Sequence, residues 1–165
     1  ERSEIRKGSK EWDKILSVTM MALGPFVMLV VSGLNVRYGW SPVISWQFQV
    51  AGVGLIITGY AVLVWAMLSN TFFSPVVRIQ SERGHRVISD GPYNRVRHPG
   101  YLGAIMYFLS IPMLLGSAWA FVPCVLTIGI TLLRIILEET VLLSELPGYR
   151  EYRERVRYRL LPGLW

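Results

Sequence analysis

Long apolar runs alternate with short polar ones along this chain. Ile15 to Val36 and Trp46 to Leu68 contain no Lys, Arg, Asp or Glu. Each is long enough to cross a bilayer as a helix, which takes roughly 20 apolar residues. Tyr101 to Leu115 is equally free of charge but only about 23 Å long at 1.5 Å per residue, with Pro112 near its end. Ala118 to Leu137 is again long enough, and Gly116-Ser117 reads as a tight turn folding the last two runs into a hairpin. The pattern predicts an all-α, polytopic membrane bundle of about four spans. Gly24-Pro25 and Gly33 in the first span, and Gly52, Gly54 and Gly59 in the second, are small residues of the kind that let helices approach closely in lipid.

The polar segments carry patterns of their own. Between Ser69 and Arg97, Val76 to Gln80 alternates like a strand, and Val87 to Tyr93 reads as a second extended run closed by a turn. A connection of nearly thirty residues rich in Val, Ile and Tyr is more often functional than idle. After the fourth span, Glu138 to Tyr158 looks helical, interrupted at Leu146-Pro147-Gly148. Tyr149, Tyr152 and Val156 form an apolar-aromatic stripe opposite Arg150, Glu151, Arg153, Glu154 and Arg157, which predicts an amphipathic helix lying at headgroup level.

Composition supports the membrane. The 165 residues are 52% hydrophobic, above the level of ordinary soluble domains. The net charge of +6 would suit nucleic acid, but the basic residues flank the spans instead of forming a recognition helix. They fall into three groups: Arg2, Arg6, Lys7, Lys10 and Lys14 before the first span; Arg78, Arg83, Arg86, Arg95 and Arg97 in the long loop; and Arg150 to Arg159 in the tail. Only Arg37 separates spans one and two, and no charge separates three and four. Because Lys and Arg accumulate in cytoplasmic segments, this places both termini, the loop and the tail inside. A single cysteine, Cys124, excludes an intrachain disulfide and a cysteine-cluster metal site. No cleavable signal is apparent.

Candidate chemistry gathers where the loop meets span three and where span four ends. His98-Pro99 places a helix start there, because proline is favoured in a first turn, and backbone N–H groups at that end favour an anion. Arg95 and Arg97 add to the positive field. Glu138 and Glu139 close span four, against the sense of the helix dipole. Arg134 and Glu138 have i, i+4 spacing for a pair, and since neighbouring helical residues point about 100° apart, only one glutamate readily faces that arginine.

Gly91-Pro92-Tyr93, Arg97-His98-Pro99-x-Tyr101, Glu138-Glu139 and Gly148-Tyr149-x-x-Tyr152, in that order, resemble the isoprenylcysteine carboxyl methyltransferase and phospholipid methyltransferase superfamily over about residues 70–165. The resemblance implies one membrane methyltransferase domain over residues 1–165, with spans over 1–69 and the cofactor-binding and catalytic part over 70–165. It implies S-adenosylmethionine as cofactor, held by the cytosolic loops, and a lipid or lipidated acceptor that reaches it from the membrane, with neither metal nor nucleic acid as a partner. The soluble methyltransferase fold, with its Gly-rich strand-turn-helix, is absent. The matching positions imply cofactor contacts at Gly91, Tyr93, Arg97, His98, Pro99, Tyr101, Glu138, Glu139 and Tyr149. Arg97 and His98 suit the cofactor carboxylate, a glutamate (preferably Glu138) its ammonium, and the tyrosines its adenine. Arg97, His98, Arg155 and Arg157 are the catalytic candidates, the last two where the family's tail approaches the acceptor. A prenylcysteine-type carboxylate is the preferred acceptor, with a phospholipid amine or a small thiol as alternatives. An intramembrane NADPH-dependent reductase and a non-catalytic scaffold are readings of other classes.

Overall fold

A computed structural model describes residues 10–42 and 44–165, so Arg2, Arg6 and Lys7 of the N-terminal basic group lie outside the described residues. Helix α1 runs Glu11–Tyr38 as two α-helical halves joined by a π-helical turn over Ala22–Val27. Pro25 lacks the N–H that would continue the ladder, and the bend falls on Gly24, whose ψ is −110°. Helix α2 is Trp46–Ser69, α3 is Pro99–Leu114, α4 is Phe121–Glu145, and a short α5, Tyr149–Arg155, follows the break at Leu146-Pro147-Gly148. Helices α1, α2 and α4 are long and apolar enough to cross a membrane, and α3 is the shorter apolar helix. The described residues contain no strand, and the fold is the all-α, polytopic membrane bundle that the hydropathy pattern predicts. Large side chains such as Ile57, Trp65 and Leu68 on α2 stand exposed, a surface that water would not tolerate at this extent and that lipid solvates.

Close backbone contact holds α2 to α3. A Cβ built on Gly103 would lie 2.6 Å from the Gly59 carbonyl oxygen and 2.9 Å from the Leu63 nitrogen, and one on Gly59 would meet the Gly103 oxygen at 2.9 Å. Backbone cannot yield as a side chain can. Gly103→Val should therefore separate the pair and cost about 1–3 kcal/mol. Gly54→Ala, where a Cβ meets nothing within 4 Å, should leave the melting temperature in detergent unchanged or raised. Equal melting temperatures for the two variants would refute this account of the contact. The five glycines grouped as packing positions thus divide. Gly24 lies against Phe108, Gly52 against Met113 and Leu114, and Gly59 against α3, whereas Gly33 and Gly54 have open space.

The bundle's two ends differ in chemistry. At one end the Ile44 N–H donates to the Gly116 carbonyl and Trp40 packs edge-on against Trp119. At the other end, Lys10 pairs with Glu145, Asp13 with Arg134, and Arg97 and Arg159 with Glu139, which gathers the start of α1, the loop, the end of α4 and the tail.

Two local expectations change. Val76–Gln80 and the run after Val87 form no strands, and the loop carries 3-10 turns at Ser81–Arg83 and Gly91–Asn94. Its apolar side chains find partners on helices instead: Ile79 and Val87 pack on the buried cluster of Leu146, Tyr149, Tyr152 and Val156. For the same reason α5 does not lay its stripe in the headgroups. Tyr149 and Tyr152 are buried against the loop, and the Tyr152 hydroxyl donates to the Tyr93 carbonyl at 2.7 Å. A stripe with a protein surface available buries more completely there than at a wet interface.

Candidate active site

Glu139 is the centre of a buried ion cluster. Arg97 Nε donates to its Oε1 at 2.6 Å, His98 Nε2 lies 3.2 Å from the same oxygen, and Arg159 Nε donates to Oε2 at 2.8 Å. Arg97, His98 and Glu139 are all nearly inaccessible. A lone charge there would be prohibitive, so each is retained only because the others neutralise it and fill its hydrogen bonds. One Arg97 terminal nitrogen also donates to the Val156 carbonyl at 2.7 Å. The backbone N–H groups of Arg97 and His98 donate to the carbonyls of Tyr158 and Arg159, so the tail caps the approach to α3. His98 is the N-cap residue and Pro99 the first residue of α3, as predicted. The anion that the Arg97 and His98 side chains face is the chain's own Glu139.

Glu138, one position earlier, has a different environment. Tyr101 donates its hydroxyl to Glu138 Oε2 at 2.6 Å, and among the described residues Glu138 makes no ion pair. The expected i, i+4 pairing with Arg134 does not occur. Arg134 Nε donates instead to Asp13 Oδ1 at 2.7 Å, and its other terminal group donates to the Pro75 carbonyl. Asp13 is fully buried and also accepts the Val77 N–H at 2.8 Å. A buried ion pair with a second donor satisfies more of the arginine than a half-exposed i, i+4 partner does. Asp13 escaped the sequence reading because its partners lie 64 and 121 residues away.

A cavity of about 260 Å³ opens between these groups and the loop. Arg97, His98, Tyr101 and Glu138 contribute from the α3 and α4 side, Tyr149 and Tyr152 from α5, and Tyr93 and the residues around Val76–Ile79 and His85–Ile88 from the loop. Two buried polar atoms on its walls have no hydrogen-bond partner: the Tyr149 hydroxyl and Arg78 Nε. Burial, with the Glu139 charge next, pushes the Tyr149 hydroxyl well above the usual phenol range, so it stays a donor. Burial raises Tyr93 as well. On the loop wall burial lowers His85 against the opposing charge of Glu82, Arg78 and Arg83 add to the lowering, and its Nδ1 accepts the Gln80 N–H, as a neutral ring does.

The predicted residues therefore separate. Tyr93, Arg97, His98, Tyr101, Glu138 and Tyr149 line one cavity. Gly91, Pro99 and Glu139 stand outside its lining. Gly91, at φ +58°, is needed where the chain passes Ser69, whose Oγ a Cβ would meet at 2.5 Å. Arg155 and Arg157 are exposed and do not reach the cavity, because the tail turns at Val156 to run back beside Arg97. The sequence pattern shows Arg78 and Arg159 only among the basic groups and Arg134 only as a partner for Glu138; no local motif marks Asp13 or Arg159, whose partners come through the fold.

The model of the isoprenylcysteine carboxyl methyltransferase family matches residues 52–144. A protein-S-isoprenylcysteine O-methyltransferase of Schizosaccharomyces pombe is 32% identical over 118 residues, which is 66% of this chain and 48% of that protein. A protein of Oryza sativa subsp. indica named "probable protein-S-isoprenylcysteine O-methyltransferase" is 27% identical over 114 residues, 67% of this chain and 60% of its own length. The chain thus spans about half the length of the first of these relatives and three-fifths of the second.

Proposed function

We propose, for a chain that belongs to the isoprenylcysteine carboxyl methyltransferase family, that it moves a methyl group from S-adenosylmethionine to the carboxylate of a prenylcysteine-type acceptor at the membrane surface. The observation that carries this reading is the unequal state of the two glutamates. Glu139 is held by two arginines and His98, while Glu138 faces the cavity with one hydrogen bond, from Tyr101, and no ion pair among the described residues. A cavity with an acid that lacks a cation, and with buried donors that lack acceptors, fits a ligand carrying both charges.

The cofactor, when bound, supplies a methyl group on a sulfonium, which leaves as a neutral thioether. Glu138 would hold the cofactor's ammonium or offset its sulfonium, and Tyr101 fixes the rotamer of that carboxylate. Tyr149 offers a hydroxyl donor, and Tyr93 an aromatic border for adenine. Glu139, Arg97, His98 and Arg159 hold α3, α4 and the tail in register. A carboxylate acceptor is already nucleophilic, so no base is required, and His98, turned onto Glu139, is not needed as one. Alignment of acceptor, methyl and sulfur supplies the rest of the acceleration. The names of the relatives favour the prenylcysteine carboxylate among possible acceptors.

S-adenosylhomocysteine at a hundred times its Kd should stabilise the detergent-solubilised protein by about 2.7 kcal/mol, read as a raised melting temperature. A shift with NADPH and none with S-adenosylhomocysteine would replace this reading with a reductase. We place the cavity end on the cytoplasmic face, by the positive-inside argument. In a Cys124→Ala background, Ser81→Cys and Ser144→Cys should be shielded from impermeant thiol reagents in intact cells and Ala118→Cys labelled. Labelling at Ser81 or Ser144 would reverse the orientation.

A further inference from the structure

We infer that Arg78, and not Arg97, is the cation that receives the α-carboxylate of the bound cofactor; the inference rests on the methyltransferase reading above. The cations on the helix side of the cavity are already spoken for. Arg97 is divided between Glu139 and the Val156 carbonyl, Arg134 between Asp13 and the Pro75 carbonyl, and His98 faces Glu139. A second anion beside Arg97 would have to displace a buried carboxylate that is also held by His98 and Arg159.

Arg78 approaches from the opposite wall. One terminal nitrogen, Nη1, lies 3.0 Å from Glu82 Oε1, and Glu82 itself is largely in water. Nε points into buried space with no acceptor. The guanidinium edge formed by Nε and Nη2 therefore carries no hydrogen bond among the described residues, and that edge matches the two oxygens of a carboxylate. Its neighbours compete less well: His85 has Nδ1 occupied by the Gln80 N–H, and Arg86, which also lines the cavity, is exposed to water that screens its charge. With Glu138 on the facing wall, the cavity offers an anion and a buried cation with an open edge to a ligand bearing an ammonium and a carboxylate. Neither group alone would explain why a guanidinium is left with a vacant buried donor.

The test compares S-adenosylhomocysteine with its decarboxylated analogue, S-adenosyl-3-thiopropylamine, by calorimetric titration. The unaltered protein should bind the former at least tenfold more tightly. Arg78→Gln should weaken S-adenosylhomocysteine at least tenfold while leaving the analogue within twofold, so that the discrimination disappears. Arg78→Lys should retain an intermediate preference, and should the Gln variant fail to fold, this reduction reads the same point. Glu82→Gln, which touches only the exposed end of the guanidinium, should keep the full preference. Undiminished discrimination in Arg78→Gln, or an equal loss of both ligands, would overturn the assignment. If the unaltered protein bound neither ligand, the methyltransferase reading would fall and the inference with it.

Discussion

Glu139→Gln should lower the stability of the purified protein by about 3–5 kcal/mol, the usual result of removing one partner from a buried ion pair. The loss is large because Arg97 stays behind, 5% exposed, with its charge no longer matched, and because the amide can accept through one atom only and turns its NH2 on one of the two arginines. Glu138→Gln should behave in the opposite way. Its stability should change little, since an amide oxygen still accepts from Tyr101. Its affinity for S-adenosylhomocysteine should fall at least tenfold, corresponding to loss of a charge-assisted contact of roughly 1.5–3 kcal/mol. The pair is read by thermal unfolding and calorimetry on both variants. If both variants keep near-wild-type cofactor affinity, Glu138 holds no ligand charge and the proposed ammonium site is wrong.

The second large effect is expected at Asp13. Asp13→Ala removes the carboxylate that neutralises Arg134 and accepts the Val77 N–H, and should destabilise by about 3–5 kcal/mol. Cofactor binding should weaken with it, because Pro75 to Val77 form part of the cavity wall and lose their tie to α1. Replacing both partners, as Asp13→Asn with Arg134→Met, leaves no orphaned charge and should recover more than half of the lost stability. A double variant as unstable as the sum of its single changes would mean that the two residues act independently.

The spans, the break before α5 and the helix start at Pro99 were legible in the sequence, since charge-free runs and proline act locally. The glutamate pair was legible as a pair, and the argument that neighbours on a helix point apart correctly gave them different surroundings. What each faces was not. Arg134 reads as Glu138's partner at four residues' spacing until Asp13, from the far end of the chain, takes it. Arg97 and His98 read as open anion hooks until Glu139 fills them. The Val and Ile alternation of the loop resembles a strand, because a segment that packs on a helical cluster with one face shows the same period. In each case a local pattern was satisfied by a distant partner.

The cluster around Glu139 also has an order of assembly. Arg97 and His98 precede α3, Glu139 ends α4, and Arg159 follows α5. During synthesis the bundle can enter the bilayer before Arg159 exists, with Glu139 Oε2 and the approach to α3 still unsealed. Only when the stretch through Tyr158 and Arg159 leaves the ribosome do its carbonyls meet the Arg97 and His98 N–H groups. The residues that lock the interior are thus made after every described span, and a nascent chain holds those spans in place before it holds a finished site.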